Sequence, residues 1–278
     1  MITPRRNTAR VEIDRVSEAS SRRRRDAVAV EEPLEIRIAT VAGEEHQVAV
    51  TMRTPGDDFD LTAGFLFSEG LLSHRSDVAD LRYCVDVETQ EYNIMTVYLS
   101  EAARFDPAEL TRNFYTTSSC GVCGKASLEA IEIQGCAPIP AEGPIVPAEM
   151  VRSLPEALRS RQPVFERTGG LHAAGVFDLG GQLQLLREDV GRHNALDKVI
   201  GERFLGGELP LGESVLAVSG RASFEIMQKA LAAGIPIVVA VGAPSSLAVD
   251  VAREFGMTLI GFAKPVGFNI YTGRHRIG

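Results

Sequence analysis

No tryptophan occurs among the 278 residues, and aromatic side chains make up only 6% of the chain. A binding site built on stacked rings is therefore not expected. Net positive charge is also lacking. Lys and Arg number 29 against 37 Asp and Glu, for a net −8, which argues against broad nonspecific nucleic-acid binding. No apolar segment follows the Arg-rich stretch "SRRRRD" (21–26), so neither a secretory nor a twin-arginine signal is expected. The uncharged run at 230–249 is broken by Gly234, Pro236, Gly242, Pro244, Ser245 and Ser246, and reads as helix end, strand, loop and helix start, not a membrane span. A cytoplasmic protein with reduced cysteines is the resulting expectation. Histidines, five in all, and cysteines, four in all, are scarce and scattered. Zinc sites usually need a second C-x-x-C pair or a closely spaced His pair, and this chain has neither, so no metal is expected.

What is present is uneven. Residues 1–25 hold eight arginines against three acids, a net +5, so the body must carry −13 to give −8 in total. Residues 1–27 are expected to form a disordered, solvated Arg-rich arm. Residues 28–134 read as a β-rich part: two alternating strands around Gly43, a helix in "DDFDLTAGFLFSEG" ending at Gly70, and a strand pair in "LRYCVDV" and "YNIMTVYL". A short helix is expected in "KASLEAIEI". Residues 135–147, with four prolines and two glycines, form a linker, and "PAEMVRSLPEALRS" a helix in which Pro155 is placed to open a second one. From about residue 168 a hairpin precedes regular alternation of helix and strand. The 148–278 portion is accordingly expected to be α/β, a mixed sheet with helices on both faces.

Cys120 and Cys123 in "TTSSCGVCGK" (116–125) are the first chemical candidates. A thioredoxin-like couple would place the pair at a helix N-terminus, where the dipole lowers the thiol pKa. Gly121 and Gly124 favour a mobile loop instead. Lys125 and the loop N–H groups suit a thiolate nucleophile that carries a group between partners. The residues alone leave the redox and carrier readings both open.

Four further stretches are polar and turn-rich. In "EDVGRHNALDK" (188–198), Asp189, His193 and Asp197 fall at i, i+4 spacing. The stretch reads either as a solvated helix face with a capping Asp, or as a helix start presenting Arg192, His193 and Asn194 to an anion. "SGRAS", with Ser219, Gly220, Arg221 and Ser223, follows a buried strand and opens a helix, which suits a phosphate and equally a serine-capped tight turn. "GAPSSL", with Ser245, repeats that turn after the next strand, so the two loops can line one crevice. "TGGLHAA" puts His172 at a strand entrance within reach of it. "GFAKPVGFNIY" reads by itself as strand, loop and strand.

Together with "GFLFSEG" (64–70) and "GGLHAAG" (169–175), the motifs "SSCGVCGK", "EDVGRHNALDK", "SGRASFE" and "GAPSSLAV" resemble the formate dehydrogenase accessory, or FdhD, family, from about residue 30 to the C-terminus. The resemblance implies a cytidine-deaminase-like core and a sulfur carrier that is a sulfurtransferase and a homodimer. A cysteine desulfurase would load Cys120 with persulfide sulfur, Cys123 would assist, and the sulfur would pass to the molybdenum or tungsten bis-guanine-dinucleotide cofactor of formate dehydrogenase. It also implies cofactor contacts at Phe262, Ala263, Lys264, Pro265, Val266 and Gly267. On an acidic body that polyanion needs local compensation, which Arg221, Lys264 and two helix starts can supply, with Arg192 and His193 beside them. Zinc deamination, which the same fold suggests, is excluded: no His or Cys is followed two residues later by Glu, and Ser119 rather than Pro precedes Cys120. The alternatives are a cofactor-shielding chaperone that transfers no sulfur, and a thiol-disulfide oxidoreductase.

Overall fold

A computed structural model describes residues 6–18, 20–84, 92–107 and 136–278. Cys120, Cys123, Lys125 and the helix expected after them lie outside the described residues.

The arm expected to be disordered is a ribbon, most of it exposed to solvent. Strands β1 (Thr8–Ser17) and β2 (Ser20–Ala29) pair antiparallel along their whole length. Net charge concealed the reason. The acids of β1 sit directly across from arginines of β2, Glu12 opposite Arg25 and Asp14 opposite Arg23, so cross-strand attraction replaces the repulsion a basic run suggests.

In the β-rich part, β3 (Glu32–Ala39), β4 (Glu45–Arg53), β5 (Val78–Tyr83) and β6 (Ile94–Leu99) form a sheet in the order β4-β3-β6-β5. Alternation along β3 turns Leu34, Ile36 and Ile38 onto one face, where they pack on Leu61 and Leu66 of helix α1 (Asp58–Ser68).

The second sheet has six strands: β7 (His172–Phe177), β8 (Leu183–Asp189), β9 (Val215–Val218), β10 (Ile237–Ala240), β11 (Thr258–Lys264) and β12 (Gly267–Thr272), in the order β12-β11-β10-β9-β7-β8. Strands β9, β10 and β11 are parallel, and their neighbours antiparallel, so the sheet is mixed. Its central strands are apolar on both sides. Leu216, Val218, Val238 and Ala240 face α4 (Arg192–Leu205), α5 (Phe224–Ala232) and α6 (Ser246–Glu254). Val215, Ala217, Ile237 and Val239 face α2 (Ala148–Arg159). Helices thus cover both faces, as the alternating pattern predicts. Pro155 does not open a new helix: it lies inside α2, and the following short helix α3 (Pro163–Thr168) starts at the next proline. The Pro-rich connection is irregular where it is described, and is pinned by the buried Arg276, whose guanidinium donates to Pro140 O (2.6 Å) and Gly256 O (2.9 Å).

Helices α1 and α4 join the two sheets at very close range. A Cβ placed on Gly64 would lie 1.9 Å from Asp197 O, and one on Gly201 1.8 Å from Asp60 O. Only glycine lets the two backbones touch here. Among the described residues no helix is long and apolar enough to cross a membrane.

Candidate functional site

The C-terminal ends of β9 and β10 lie side by side in the second sheet, so the loops that follow them must be neighbours. Gly242 N–H donates to Gly220 O (2.9 Å), and Ser245 N–H to Ala222 O (2.9 Å). At this end of a parallel pair, helix starts and loop N–H groups converge, which is where α/β sheets bind ligands. The approach depends on glycine. A Cβ on Gly242 would stand 3.0 Å from Gly220 O, and one on Gly220 would stand 3.3 Å from His172 Nδ1. Ser219 ties the loop to β7: its Oγ accepts from Ala173 N–H (2.9 Å), and its own N–H donates to Ala173 O (2.9 Å).

The start of α4 closes the crevice. His193 Nε2 lies 3.2 Å from Ser223 Oγ and 3.7 Å from Glu225 Oε2. Arg192 is partly buried, its Cδ 4.0 Å from where a Gly220 Cβ would stand, and its Nε has no hydrogen-bond partner among the described residues. Burial first, and the Arg192 charge second, push the His193 pKa down to about 4 and lower that of His172. Near neutral pH His193 is therefore an uncharged hydrogen-bonding group. Arg192 and the exposed Arg221 are the cations on hand.

That shift fixes a pH dependence. The folded-state pKa lies below the ordinary 6.5, so the contribution of neutral His193 to stability is complete above about pH 6.5 and is lost as pH falls toward 4. An NMR titration is expected to place the His193 midpoint well below 6.5, and His193→Asn to flatten the loss of thermal stability over that window. A midpoint at or above 6.5 would mean that the imidazole is neither buried nor beside Arg192.

The rest of "EDVGRHNALDK" does other work. Asn194, expected in the site, spends its amide on Met52 O (2.7 Å) and Asp189 Oδ1 (3.0 Å), and its carbonyl accepts from Thr51 Oγ1 (3.3 Å). Nor is the stretch a solvated face, because Asp189, Asp197 and Lys198 are all buried. Asp189 Oδ2 takes Lys198 Nζ (2.8 Å) and Thr54 N–H (3.1 Å), while Oδ1 takes Gly191 N–H (2.8 Å). Lys198 Nζ also donates to Thr54 O (2.9 Å). On the far side of α4, Asp197 pairs with Lys229 (2.9 Å) and accepts from Ser68 Oγ (3.0 Å); burial pushes its pKa up to about 6. Burial opposes the charge on Lys229 as well, but Asp197 and Glu69 outweigh it and raise its pKa. These ties lock α4, and with it Arg192 and His193, onto β4 and α1.

Removing one partner of a buried ion pair strands the other charge. Lys198→Met is expected to destabilise the protein by roughly 3–5 kcal/mol in denaturant unfolding, because Asp189 keeps its N–H donors but loses the one cation paired with it among the described residues. A change under about 1 kcal/mol would show that the Lys198–Asp189 pair adds little to the fold.

Two other expected contacts change character. Ser245 Oγ accepts from Ala248 N–H (3.2 Å) and so caps α6. In the Phe262–Gly267 stretch, Ala263 is fully buried in the core on the α2 side, so its side chain faces no ligand. Phe262 is 43% exposed with φ +53°, a left-handed conformation uncommon for an aromatic residue, and its N–H donates to Gly242 O (3.0 Å). Lys264, Pro265, Val266 and Gly267 form the tip of the β11–β12 hairpin. Sequence reasoning missed Glu225 within "SGRASFE", although its place in the first turn of α5 puts it beside the crevice. It also missed Lys229, whose partners are too distant in sequence to leave a local signal.

Cys84 follows β5 partly buried, and burial raises the pKa of the partly buried Cys136 thiol, which makes it a poor nucleophile. Among the described residues no cluster of three His, Cys, Asp or Glu side chains could hold a metal ion.

A family model described as the FdhD/NarQ family matches residues 29–278. Over 276 residues the chain is 48% identical to "Sulfur carrier protein FdhD" of Streptomyces coelicolor, covering 98% of this chain and 96% of that protein. It is 50% identical over 261 residues to the protein of the same name from Mycobacterium tuberculosis, covering 91% and 92% of the two chains. A crystal structure from Desulfotalea psychrophila, described as a candidate formate dehydrogenase accessory protein, superposes with a TM-score of 0.75 at 24% identity. That match covers 98% of this chain and 100% of the other, so the fold is shared throughout.

Proposed function

The chain belongs to the FdhD/NarQ family, and from that premise we propose that it is a cytoplasmic sulfur carrier serving formate dehydrogenase. Cys120 is the acceptor thiol. Its thiolate attacks the terminal sulfur of a cysteine desulfurase persulfide, forming Cys120–S–S⁻ and returning the desulfurase cysteine as its thiol. The sulfur so carried is at oxidation level zero, whereas a metal-bound sulfide needs two more electrons. Cys123 supplies them: its thiolate attacks the Cys120 sulfur and expels hydrosulfide, leaving a Cys120–Cys123 disulfide for an external dithiol to reduce. The recipient is the molybdenum or tungsten bis-guanine-dinucleotide cofactor, bound as substrate.

The observation that carries this reading is the crevice. His172, Arg192, His193, Ser219, Gly220, Arg221 and Ser223 converge at adjoining strand ends, and Arg192 holds a buried Nε without a partner among the described residues. A guanidinium nitrogen unsatisfied among the described residues, beside two helix starts, suits a phosphate, which offers several acceptors at once. Gly220 and Gly242 keep the floor free of side chains. The family motifs around Cys120 and the polyanion-ready crevice thus supply the two halves of a carrier, a thiol to load and a place for the recipient.

Mass analysis after incubation with a cysteine desulfurase and cysteine tests the first half. One extra sulfur on Cys120, removed by reductant, is expected; a chaperone that transfers no sulfur would gain none. Titration with GDP tests the second half. Arg221→Ala is expected to lower affinity roughly 30-fold, on the order of 2 kcal/mol, and to leave sulfur loading intact. Equal affinities would remove Arg221 from the site.

A further inference from the structure

Where α4 and α5 meet beside the crevice, their side chains form two rungs. His193 on α4 stands opposite Glu225 on α5 (3.7 Å), and one turn further in Asp197 pairs with Lys229 (2.9 Å). The inner rung is buried and closed, because Glu69 gives Lys229 a second carboxylate (3.6 Å). The outer rung opens to solvent, with about a third of the His193 side chain (34%) exposed.

Ser223 decides where the protons of the outer rung sit. Burial disfavours the Glu225 carboxylate, yet hydrogen bonds from Ser223 and from its own N–H, with His193 and Arg192 nearby, outweigh burial and lower its pKa. Glu225 is therefore ionised at neutral pH and accepts the Ser223 hydroxyl proton. A serine has one proton to give. The contact between Ser223 Oγ and His193 Nε2 (3.2 Å) must then run with the imidazole as donor. The neutral ring is thus protonated at Nε2 and carries its lone pair on Nδ1. No described residue hydrogen-bonds to Nδ1.

The surroundings keep this ring neutral. Burial acts first and Arg192 second, with Lys229 and His172 adding to them and Glu225 opposing. Other charges close by are spent on each other, Asp189 on Lys198 and Asp197 on Lys229, and Arg221 stands exposed on the loop after β9. A second cation beside Arg192 is unfavourable on its own. An anion held by Arg192 reverses that field, and Glu225 already stands on the other side of the ring as a counter-charge.

We propose that an anion enters the crevice together with a proton: His193 Nδ1 takes one proton from solvent and donates it to an anion oxygen, while Nε2–H stays on Ser223. Glu225 and Ser223 are positioning residues, one as counter-charge and the other as anchor of the ring. The proposal rests on the crevice reading given above, and adds to it the protonation state in which the anion is held. Because the bound state holds the extra proton, affinity rises as pH falls through the pKa of the bound form, and levels off below about 4, the pKa of the free form. If the anion restores the ordinary 6.5, the gain from about pH 7.5 to about pH 5.5 is roughly tenfold.

NMR titration of the full chain, free and saturated with GDP, tests it: the His193 midpoint is expected to move up by about two units on binding. Sulfate is the second probe, since it stays a dianion throughout this range and any proton taken up belongs to the protein. Calorimetry with sulfate in two non-anionic buffers of different ionisation enthalpy is expected to count close to one proton per chain near about pH 5.5, and almost none near about pH 8. His193→Asn is expected to lose the pH dependence, and His172→Asn to keep it whatever its effect on affinity. Glu225→Gln is expected to hold or raise affinity near about pH 8 and to flatten the rise at lower pH, a pattern that a merely structural role would not produce. A His193 midpoint that stays near 4 in saturating GDP, or proton uptake that survives His193→Asn, would overturn the proposal and leave the crevice reading standing. If wild type binds neither GDP nor sulfate at any pH, the crevice reading fails and takes the proposal with it.

Discussion

Gly201→Ala is expected to cost about 3 kcal/mol or more, lowering the melting temperature by roughly 10 °C. The added methyl would stand 1.8 Å from Asp60 O, and the obstacle is a backbone carbonyl that cannot rotate aside. Relief requires α1 and α4 to separate. That separation would loosen the α1–α4 tie between Ser68 and Asp197, which lies beside the crossing, and would shift α4, whose first turn carries Arg192 and His193. Anion affinity at the crevice is therefore expected to fall along with stability, although Gly201 is about two and a half turns from Arg192 along the helix. Gly64→Ala should behave alike, its methyl falling 1.9 Å from Asp197 O. Gly212→Ala is the control, since a Cβ there meets nothing within 4 Å; it should change stability by no more than about 0.5 kcal/mol. A Gly201→Ala protein that melts within about 2 °C of wild type would show that the crossing is looser than it stands here.

Cys120→Ala is expected to abolish sulfur loading completely and leave formate dehydrogenase inactive in cells that depend on this protein, while GDP binding persists. Two of the other thiols are poor substitutes on chemical grounds. Burial raises the Cys136 pKa, and Cys123 is assigned to release rather than capture. Cys123→Ala should separate the two steps: it should load sulfur on Cys120 and fail to discharge it as hydrosulfide. In wild type the discharged protein should be lighter by two hydrogens, as the Cys120–Cys123 disulfide, until a dithiol is added. Normal loading and formate dehydrogenase activity in Cys120→Ala would end the carrier assignment. Steady dithiol–disulfide turnover without any sulfur transfer would instead favour an oxidoreductase.

Local patterns carried much of the fold. Alternation in "LEIRIATV" and "QVAVTM", helical spacing from Phe59 to Phe67, and apolar runs such as "IPIVVAVG" each match an observed element, because period and burial are written within a few residues. Turn glycines between strand and helix likewise marked the two loops that line the crevice, since a tight β-to-α turn needs them wherever it occurs. The family was legible for a related reason: its motifs are contiguous, and each can be read whole.

Tertiary structure decided what depends on distant partners. The polar density of "EDVGRHNALDK" predicts either solvent or ligand, and the structure divides it instead. Asp189, Asn194 and Lys198 go to Thr54 and Met52, Asp197 goes to Lys229, and only Arg192 and His193 reach the crevice. The basic arm reads as repulsive until strand register sets Glu12 against Arg25. Gly64 and Gly201 look like ordinary helix glycines until their backbones meet. Nothing in the chain marks Gln162 as buried with an amide nitrogen unpartnered among the described residues, because that is a property of its surroundings. By itself the sequence determined the periods, the turns and the chemistry available. Which charges are buried, paired or left free for a ligand was decided by contacts that only the fold makes, several of them between residues more than a hundred positions apart.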